Sequence, residues 1–356
     1  MPKPRRRCIY PGSNPTREPL QRELEGLLAN AKKCASIYLD TVQSMSKFLL
    51  HQENHAQGLA RTHKLSDGSI YYFLSYSTIG EQGTLSQYRY SGPTDDAHVL
   101  QTHPLTVAPM KQLLTIDDQH PSDICFLADV DRLDAGYLFV TEEYDKHRLS
   151  VYRWEPSADL TLIGSITHGF PHEGPTGPQF VFVDRVDDFY YLGIASSNWG
   201  WGQLLRAACG ALFPTCKKGE MDLSAFKPVS ANSILPASAE SRFPFQVVGS
   251  PCQVKLIKDS TGQWYLLAFR SDPPDSETGT DYVDAYAIQF SPFAIFGLVF
   301  STHIVFPSGD TSFASTGTHY VEDTGRLLVS SSYRWSEDEG PGNSGYVSRV
   351  DECPSS

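Results

Sequence analysis

Leu85-Ser-Gln-Tyr88-Arg-Tyr90 and Leu149-Ser-Val-Tyr152-Arg-Trp154 are two copies of one pattern, with the same spacing, the same aromatic positions and the same central arginine. Each copy closes a longer unit, which begins with a short apolar strand, passes through a turn and continues with an aromatic-rich strand. Recurrence of a motif at the same place in a unit is the sequence mark of a repeat protein. The fold therefore follows from the number of units and the number of strands in each.

The unit recurs about five times along the chain. Its first strands begin near His55, His120, Gln179, Gln253 and His319. A spacing of about 60 to 75 residues accommodates four short antiparallel strands with their loops, and such units repeated radially form a β-propeller, whose closed ring protects the sheet edges. We predict an all-β fold, a five-bladed β-propeller with blades of about four antiparallel strands. A pair of β-sandwiches is the alternative, because half-buried strands alternate in the same way.

Segments outside the common pattern complete the predicted ring. Outer strands are predicted at His98–Gln101, Leu160–Ile163 and Phe300–Phe306. A propeller ring usually closes through one blade that both chain ends share, and Cys8–Tyr10 together with Gly345–Val350 are the predicted pieces of that blade.

Two stretches have helical rather than strand periodicity. Apolar residues between Thr16 and Leu50 recur at helical spacing, with Thr16 as the N-cap, and Gln203–Phe213 predicts a helical insertion in the third blade. We therefore predict that residues 1–50 form a tail and a helix that packs on the propeller, and that residues 51–356 form a single propeller domain. A dimerisation role for the helix is the alternative, which makes a homodimer possible.

The composition narrows the classes of partner and location. The 356 residues are 40% hydrophobic, enough for a core, and carry a net charge of −12, which repels phosphate backbones and argues against nucleic acid as a partner. The longest apolar run, Phe290–Phe300, contains Pro292 and is too short to span a bilayer. Seven cysteines without a C-x-x-C pair and no visible signal peptide predict a cytoplasmic protein.

The predicted binding site lies at one end of the propeller channel, where the segments that enter the first strands converge. The polar residues of these segments are His55, Gln57, His120, Asp123, Gln179, Gln253, Thr316 and His319. Connections after the second strands reach the same end, and they contribute Tyr76, Glu142, Glu143, Trp199, Trp201, Arg270, Arg334 and Trp335. A polar ring mixed with aromatic side chains suits an apolar small molecule that carries a few oxygen atoms.

The residue types of this ring bear on two chemistries, metal binding and glycoside hydrolysis. Three of its histidines with Asp123 have the donor types of a metal site, but no local motif fixes them, and we predict no metal and no cofactor. Glycoside hydrolysis needs two carboxylates beside the scissile bond. Asp123 is placed as one, and the second would have to be Glu142 or Glu143. Neither a Gly-rich phosphate loop nor G-x-S-x-G nor H-E-x-x-H occurs.

The segments His55–Arg61, His120–Asp123 and Gly317–Tyr320 resemble a group of propeller-like proteins from fungi and actinobacteria, over most of residues 51 to 335. The chain also resembles the fungal hetero-Diels–Alderases of secondary metabolite biosynthesis, which join a tropolone quinone methide to a humulene-type terpene. No catalytic motif is carried over from them.

This resemblance implies a terpenoid-forming pericyclase that holds a diene and a dienophile in reactive geometry. Its catalytic set would be His55, His120, Gln57 and Asp123, with a histidine as the general acid. The other channel residues named above would bind the substrate. Two alternatives stay open from the sequence: a non-catalytic propeller that binds a glycan or small metabolite, and an enzyme similar to the five-bladed glycoside hydrolases.

Overall fold

The computed structural model describes the strands of the chain and several of their connections. The described residues are 32–39, 55–77, 83–90, 105–107, 109–116, 121–130, 132, 134–142, 148–167, 180–195, 202–214, 220–229, 234–235, 250–258, 264–272, 280–290, 293–304, 318–321, 326–331 and 345–351.

The strands form five sheets, which we number by the order along the chain of β2, β7, β11, β16 and β20, the first strands of the five repeat units. Sheet 1 contains β2 (His55–Arg61), β3 (Ile70–Ser77), β4 (Gly83–Tyr90) and β6 (Pro109–Ile116). Sheet 2 contains β7 (Pro121–Ala128), β8 (Gly136–Glu142), β9 (Arg148–Trp154) and β10 (Thr161–Ile166). Sheet 3 contains β11 (Phe180–Val186), β12 (Phe189–Ala195), β13 (Gly202–Ala208), β14 (Lys227–Pro228) and β15 (Ile234–Leu235). Sheet 4 contains β16 (Ser250–Lys258), β17 (Trp264–Asp272), β18 (Thr280–Phe290) and β19 (Phe293–Ile304). Sheet 5 contains β20 (Thr318–Val321), β21 (Arg326–Ser331), β22 (Gly345–Asp351), β1 (Lys32–Leu39) and β5 (Leu105–Val107).

The first strands of the five sheets contact one another in a ring. β2 contacts β7, β7 contacts β11, β11 contacts β16, β16 contacts β20, and β20 returns to β2. The strand pairs are antiparallel except β1 with β5, which is parallel. The predicted all-β fold of antiparallel sheets is confirmed, and the two copies of the opening motif are the third strands of sheets 1 and 2.

Two turns of the repeat have backbone conformations that explain their sequences. The loop between β2 and β3 contains Asp67-Gly68, where Gly68 has φ of 83°, a region that favours glycine. The turn between β11 and β12 contains Asp187 with φ of 55°, which Asp tolerates better than most residues. The strands on either side then pair directly, with Val186 opposite Phe189. Each of the two turns follows the first strand of its unit, where the repeat pattern predicts a turn.

The chain ends meet in sheet 5, but not as the sequence predicts. Residues 345–350 lie in β22 as expected, whereas their partner is β1, in register from Lys32–Asp351 to Leu39–Gly345. The helix predicted between Thr16 and Leu50 is therefore wrong over Lys32–Leu39, and the rest of that stretch lies outside the described residues, as does Cys8–Tyr10. Pairing with β22 and β5 supplies hydrogen bonds to this segment from both sides, which outweighs its helical pattern.

Sheet 3 contains a strand over most of the segment where the sequence predicts a helical insertion. Residues 202–208 form β13, which pairs along its whole length with β12, and only Cys209–Leu212 are helical; we call this single turn α1. The predicted outer strand of the first unit at 98–101 lies outside the described residues, and β6 occupies the outer position. The other two predicted outer strands correspond to β10 and β19.

The core lies between neighbouring sheets. Trp154 of sheet 2 packs edge-on against Tyr71 and Phe73 of sheet 1, with ring centroids 5.1 and 5.2 Å apart, and its Nε1 donates a 2.7 Å hydrogen bond to Gln87. A larger apolar cluster fills the space between sheets 2 and 3. Sheets that bury both faces in this way leave the ends of their strands as the place for a site. Among the helices of the described residues, none has the length and apolar character that a membrane span requires.

Candidate functional site

The entry end of the molecule is the end at which β2, β7, β11, β16 and β20 begin. Three of these first strands have a β-bulge close to their start, between Ala56 and Leu59, between Pro121 and Ile124, and between Pro251 and Gln253. A bulge bends a strand and changes the direction of its side chains. The predicted site residues Gln57, Asp123 and Gln253 therefore lie in or beside equivalent irregularities.

Two of the bulges are held by the same kind of hydrogen bond. The amide of Gly58 donates to Ser75 Oγ at 2.8 Å, and the amide of Asp123 donates to Thr141 Oγ1 at 2.7 Å. A Cβ atom at Gly58 would lie 2.7 Å from the nitrogen of Ile124, so only glycine permits this approach of sheet 1 to sheet 2. The close contact brings the start of β2 beside Asp123.

Asp123 is completely buried and ties three sheets together. Its Oδ1 accepts from its neighbour's amide, Ile124 N, at 2.9 Å, and its Oδ2 accepts from Val181 N of β11 at 3.1 Å. Lys255 of β16 lies 3.2 Å from Oδ1 and 3.3 Å from Oδ2 through its Nζ. The lysine side chain is 7% exposed. Asp123 and Lys255 therefore form a buried ion pair that links sheets 2 and 4 beside the first strand of sheet 3.

The surroundings of this pair shift two titrating groups. Burial raises the pKa of Asp123, while the Lys255 ammonium and the amides of Val181 and Ile124 oppose that rise. Burial also raises the pKa of the Cys125 thiol to about 11. A thiol with so high a pKa is almost entirely protonated at neutral pH, so Cys125 is a poor nucleophile.

A second carboxylate, Glu142, lies at the same end of sheet 2, where β8 ends opposite Pro121. It is fully buried, accepts a short hydrogen bond from Ser150 Oγ, and pairs with Nε of Arg148. Ser150 is also 3.2 Å from Ser165 across the hydroxyl oxygens. Burial and the Glu142 charge raise the pKa of Tyr152, the next residue on that side of β9.

Arg148 carries this network to the surface of the entry end. Its side chain is 30% exposed, whereas its partner Glu142 is not exposed at all. Within the described part of the chain it bonds to Glu142 alone, through Nε, so no described residue bonds to its two terminal nitrogens. A guanidinium held at one edge in this way presents several N–H donors in a fixed plane.

The predicted site residues fall into three groups. Two have described side chains, Asp123 and Glu142, and each is a buried ion-pair partner. Six others lie in described strands: His55, Gln57, Tyr76, Gln253, Arg270 and His319. The remaining eight lie outside the described residues: His120, Glu143, Gln179, Trp199, Trp201, Thr316, Arg334 and Trp335. Their roles stay predictions. Among the described residues, no group of three His, Cys, Asp or Glu side chains is arranged to hold a metal ion.

The structure adds two cations that sequence reasoning did not select. Lys255 follows the predicted Gln253 by two residues, so it lies on the same first strand, and the unit position was a usable signal. Arg148 begins the strand that carries the opening motif, directly before Leu149. Its pairing with Glu142 joins the end of β8 to the start of β9, on either side of the loop between these strands.

Comparison with known proteins identifies a fold but no family. No family model matches the chain, and no curated protein matches it. Several solved structures are similar. The catalytic domain of a GH62 α-L-arabinofuranosidase from Coprinopsis cinerea shares 9% identity, covers 90% of this chain and 98% of its own, and has a TM-score of 0.50.

Two further structures are similar over most of the chain. The GH43_1 enzyme from Xanthomonas citri complexed with xylose shares 13% identity over 92% of both chains, with a TM-score of 0.47. MPT-4, a mannose phosphorylase from Leishmania mexicana in complex with phosphate ion, shares 11% identity over 94% of this chain and 93% of its own, with a TM-score of 0.46. The likeness to the arabinofuranosidase, at 9% identity, shows the fold alone. The likeness supports a β-propeller and gives no support to the resemblance to hetero-Diels–Alderases.

Proposed function

We propose that the five sheets are the blades of a five-bladed propeller that binds a carbohydrate at its entry end without cleaving it. One observation carries this proposal: Asp123 and Glu142, the carboxylates at the entry end whose side chains the structure describes, are both fully buried and both held by cations. They maintain the site instead of facing a substrate.

Hydrolysis of a glycosidic bond makes demands that this arrangement does not meet. One carboxyl group must give a proton to the leaving oxygen and a second must act from the other side of the sugar. Asp123 already accepts hydrogen bonds from two amides and from Lys255. A substrate would have to displace that ammonium and leave it buried without a counter-charge, at a cost of several kcal/mol, on the order of 3–5.

A sugar is the ligand class that the exposed part of the site favours. The terminal nitrogens of Arg148 are donors suited to hydroxyl oxygens, and Glu142 fixes their orientation. The arabinofuranosidase from Coprinopsis cinerea acts on a carbohydrate in the same kind of scaffold, which is an argument by analogy of fold. We propose that Trp199, Trp201 and Trp335 supply apolar faces for sugar rings, with Gln179 and Arg334 as further polar contacts.

Glycoside hydrolysis is the second candidate, because burial raises the pKa of Asp123. A raised pKa is the property that lets a carboxyl group act as a general acid at neutral pH. This candidate needs a second carboxylate, for which Glu143 is the sequence candidate, and it needs Lys255 to move away from Asp123 when substrate binds.

The hetero-Diels–Alderase function stays a prediction from sequence, with His55 and His120 as its catalytic candidates. It predicts that His55→Ala or His120→Ala lowers the rate of cycloaddition at least about tenfold while the protein remains folded. Unchanged rates in both variants would refute it.

The proposal is tested by measuring binding and cleavage on the same samples. Wild-type protein is screened against arabinose- and xylose-containing oligosaccharides by calorimetry, and each mixture is analysed for released sugar. We expect binding without cleavage, and a loss of affinity of about tenfold or more in Arg148→Ala, which removes charged hydrogen bonds.

Arg132→Ala is the matched control for this experiment. Arg132 also forms an ion pair with a glutamate of sheet 2, Glu155, at 2.7 Å, and its side chain is 37% exposed, but it lies at the opposite end of the sheet. Its removal should leave the affinity unchanged. Released sugar in the wild-type mixture would establish the hydrolase instead, and equal affinities in Arg148→Ala and wild type would remove the proposed site.

A further inference from the structure

Among the side chains that the structure describes, two cations lie at the entry end, and each is paired with a buried carboxylate. Lys255 lies within 3.3 Å of both oxygens of Asp123, and Arg148 bonds to Glu142 through Nε. Both carboxylates are fully buried, so water screens their contact with the cations less than it screens an exposed ion pair. Neither pair therefore adds net charge to this end of the molecule.

The pairing with Glu142 affects the hydrogen-bond donors of Arg148 and its positive charge differently. The terminal nitrogens of Arg148 remain hydrogen-bond donors, because Glu142 engages only Nε among the described residues. Its positive charge, in contrast, is offset at contact distance. Uncharged hydroxyl groups need donors and no counter-charge, whereas a carboxylate or phosphate needs both. The net charge of −12 for the whole chain further repels anions.

We infer that Glu142 is a specificity-determining positioning residue. It orients Arg148 as a hydrogen-bond donor for an uncharged sugar, and because it offsets the charge of Arg148 it excludes uronic acids and sugar phosphates. This inference depends on the proposed function for the location of the ligand site. It adds the ligand's charge class and assigns that selectivity to a residue that does not touch the ligand.

The test converts the site into an anion site. Glu142→Gln keeps an oxygen that can accept from Arg148 and Ser150, but it removes the negative charge. Wild type, Glu142→Gln and Glu155→Gln are titrated with inorganic phosphate and with glucuronate at low and high salt. Glu155→Gln is the matched control, because Glu155 pairs with Arg132 and Arg153 at the opposite end of sheet 2.

We expect Glu142→Gln to bind both anions about tenfold more tightly than wild type, with a gain that high salt removes, and Glu155→Gln to match wild type. Equal affinities in Glu142→Gln and wild type, or equal gains in the two glutamine variants, would overturn the inference. This result does not depend on finding a neutral sugar, so it fails separately from the proposed function.

Arg148→Ala provides an independent measurement if Glu142→Gln does not fold. The inference requires that wild type and Arg148→Ala have the same weak affinity for phosphate and glucuronate, because the arginine offers no net charge to them. A wild-type affinity that Arg148→Ala abolishes would overturn it, and equal affinities would support it.

Discussion

The entry end holds two ion pairs that look alike and have different surroundings. In the pair of Asp123 with Lys255 the side chains are 0% and 7% exposed, and the pair joins first strands of different sheets. In the pair of Glu142 with Arg148 they are 0% and 30% exposed, and both residues belong to one hairpin of sheet 2. The first pair is closed to ligands, whereas the second ends at the surface.

This difference in exposure distinguishes a carboxylate that belongs to the framework from one that supports recognition. A buried ion pair stabilises a fold little beyond what apolar residues would, but removing one partner leaves a charge without compensation. The Asp123 pair should therefore dominate stability and have no direct role in binding. Breaking the Glu142 pair should have a moderate effect on stability and a large effect on ligand affinity.

The largest effect is expected from breaking the closed pair. Asp123→Asn leaves the Lys255 ammonium buried without a counter-charge, and we expect the free energy of unfolding to fall by about 3–5 kcal/mol. Denaturation with urea measures this change.

The double variant Asp123→Asn with Lys255→Met is the control. It removes both charges, and we expect it to recover at least about half of the loss, because contacting residues are not additive. If Asp123→Asn lowered the free energy of unfolding by less than about 1 kcal/mol, the pair would contribute no more than an exposed ion pair, contrary to what its burial predicts.

These two pairs show which parts of the site could be predicted from the sequence. The place of Asp123 in the repeat unit is local information, and it predicts this residue as part of the site. Its partner Lys255 lies 132 residues away; its own place on a first strand is local information too, but no local pattern predicts that the two side chains meet. Likewise, the opening motif predicted β4 and β9, whereas the strand at Lys32–Leu39 depends on β22 at the other end of the chain. Pairings between distant segments decide what local patterns leave open.

An intermediate effect is expected from the pH dependence of Lys255→Met. Lys255 is the strongest influence that lowers the pKa of Asp123, so its removal raises that pKa further. A carboxyl group whose pKa is higher in the folded state binds its proton more tightly there than in the unfolded chain. Stability is then lost as pH rises from about 4 through the raised folded-state pKa, by up to about 1.4 kcal/mol per pH unit.

Urea denaturation of Lys255→Met between about pH 4 and pH 8 measures this slope. Wild type should show a shallower loss, because Lys255 opposes the rise of the Asp123 pKa. The double variant Asp123→Asn with Lys255→Met should show no pH-dependent loss of stability that comes from this site. A variant that gains stability with rising pH would mean that Asp123 is ionised more readily in the folded state, and that burial does not control its pKa.

The smallest effect is expected at the opposite end of sheet 2, where Arg132 pairs with Glu155 and both side chains are about one-third exposed. Water screens such a pair, so Arg132→Ala should change the free energy of unfolding by less than about 1 kcal/mol. The measurement is urea denaturation beside Glu142→Gln, whose carboxylate is fully buried. If the two variants lost equal stability, burial would not distinguish the pairs, and the assignment of Glu142 to the site would rest on ligand binding alone.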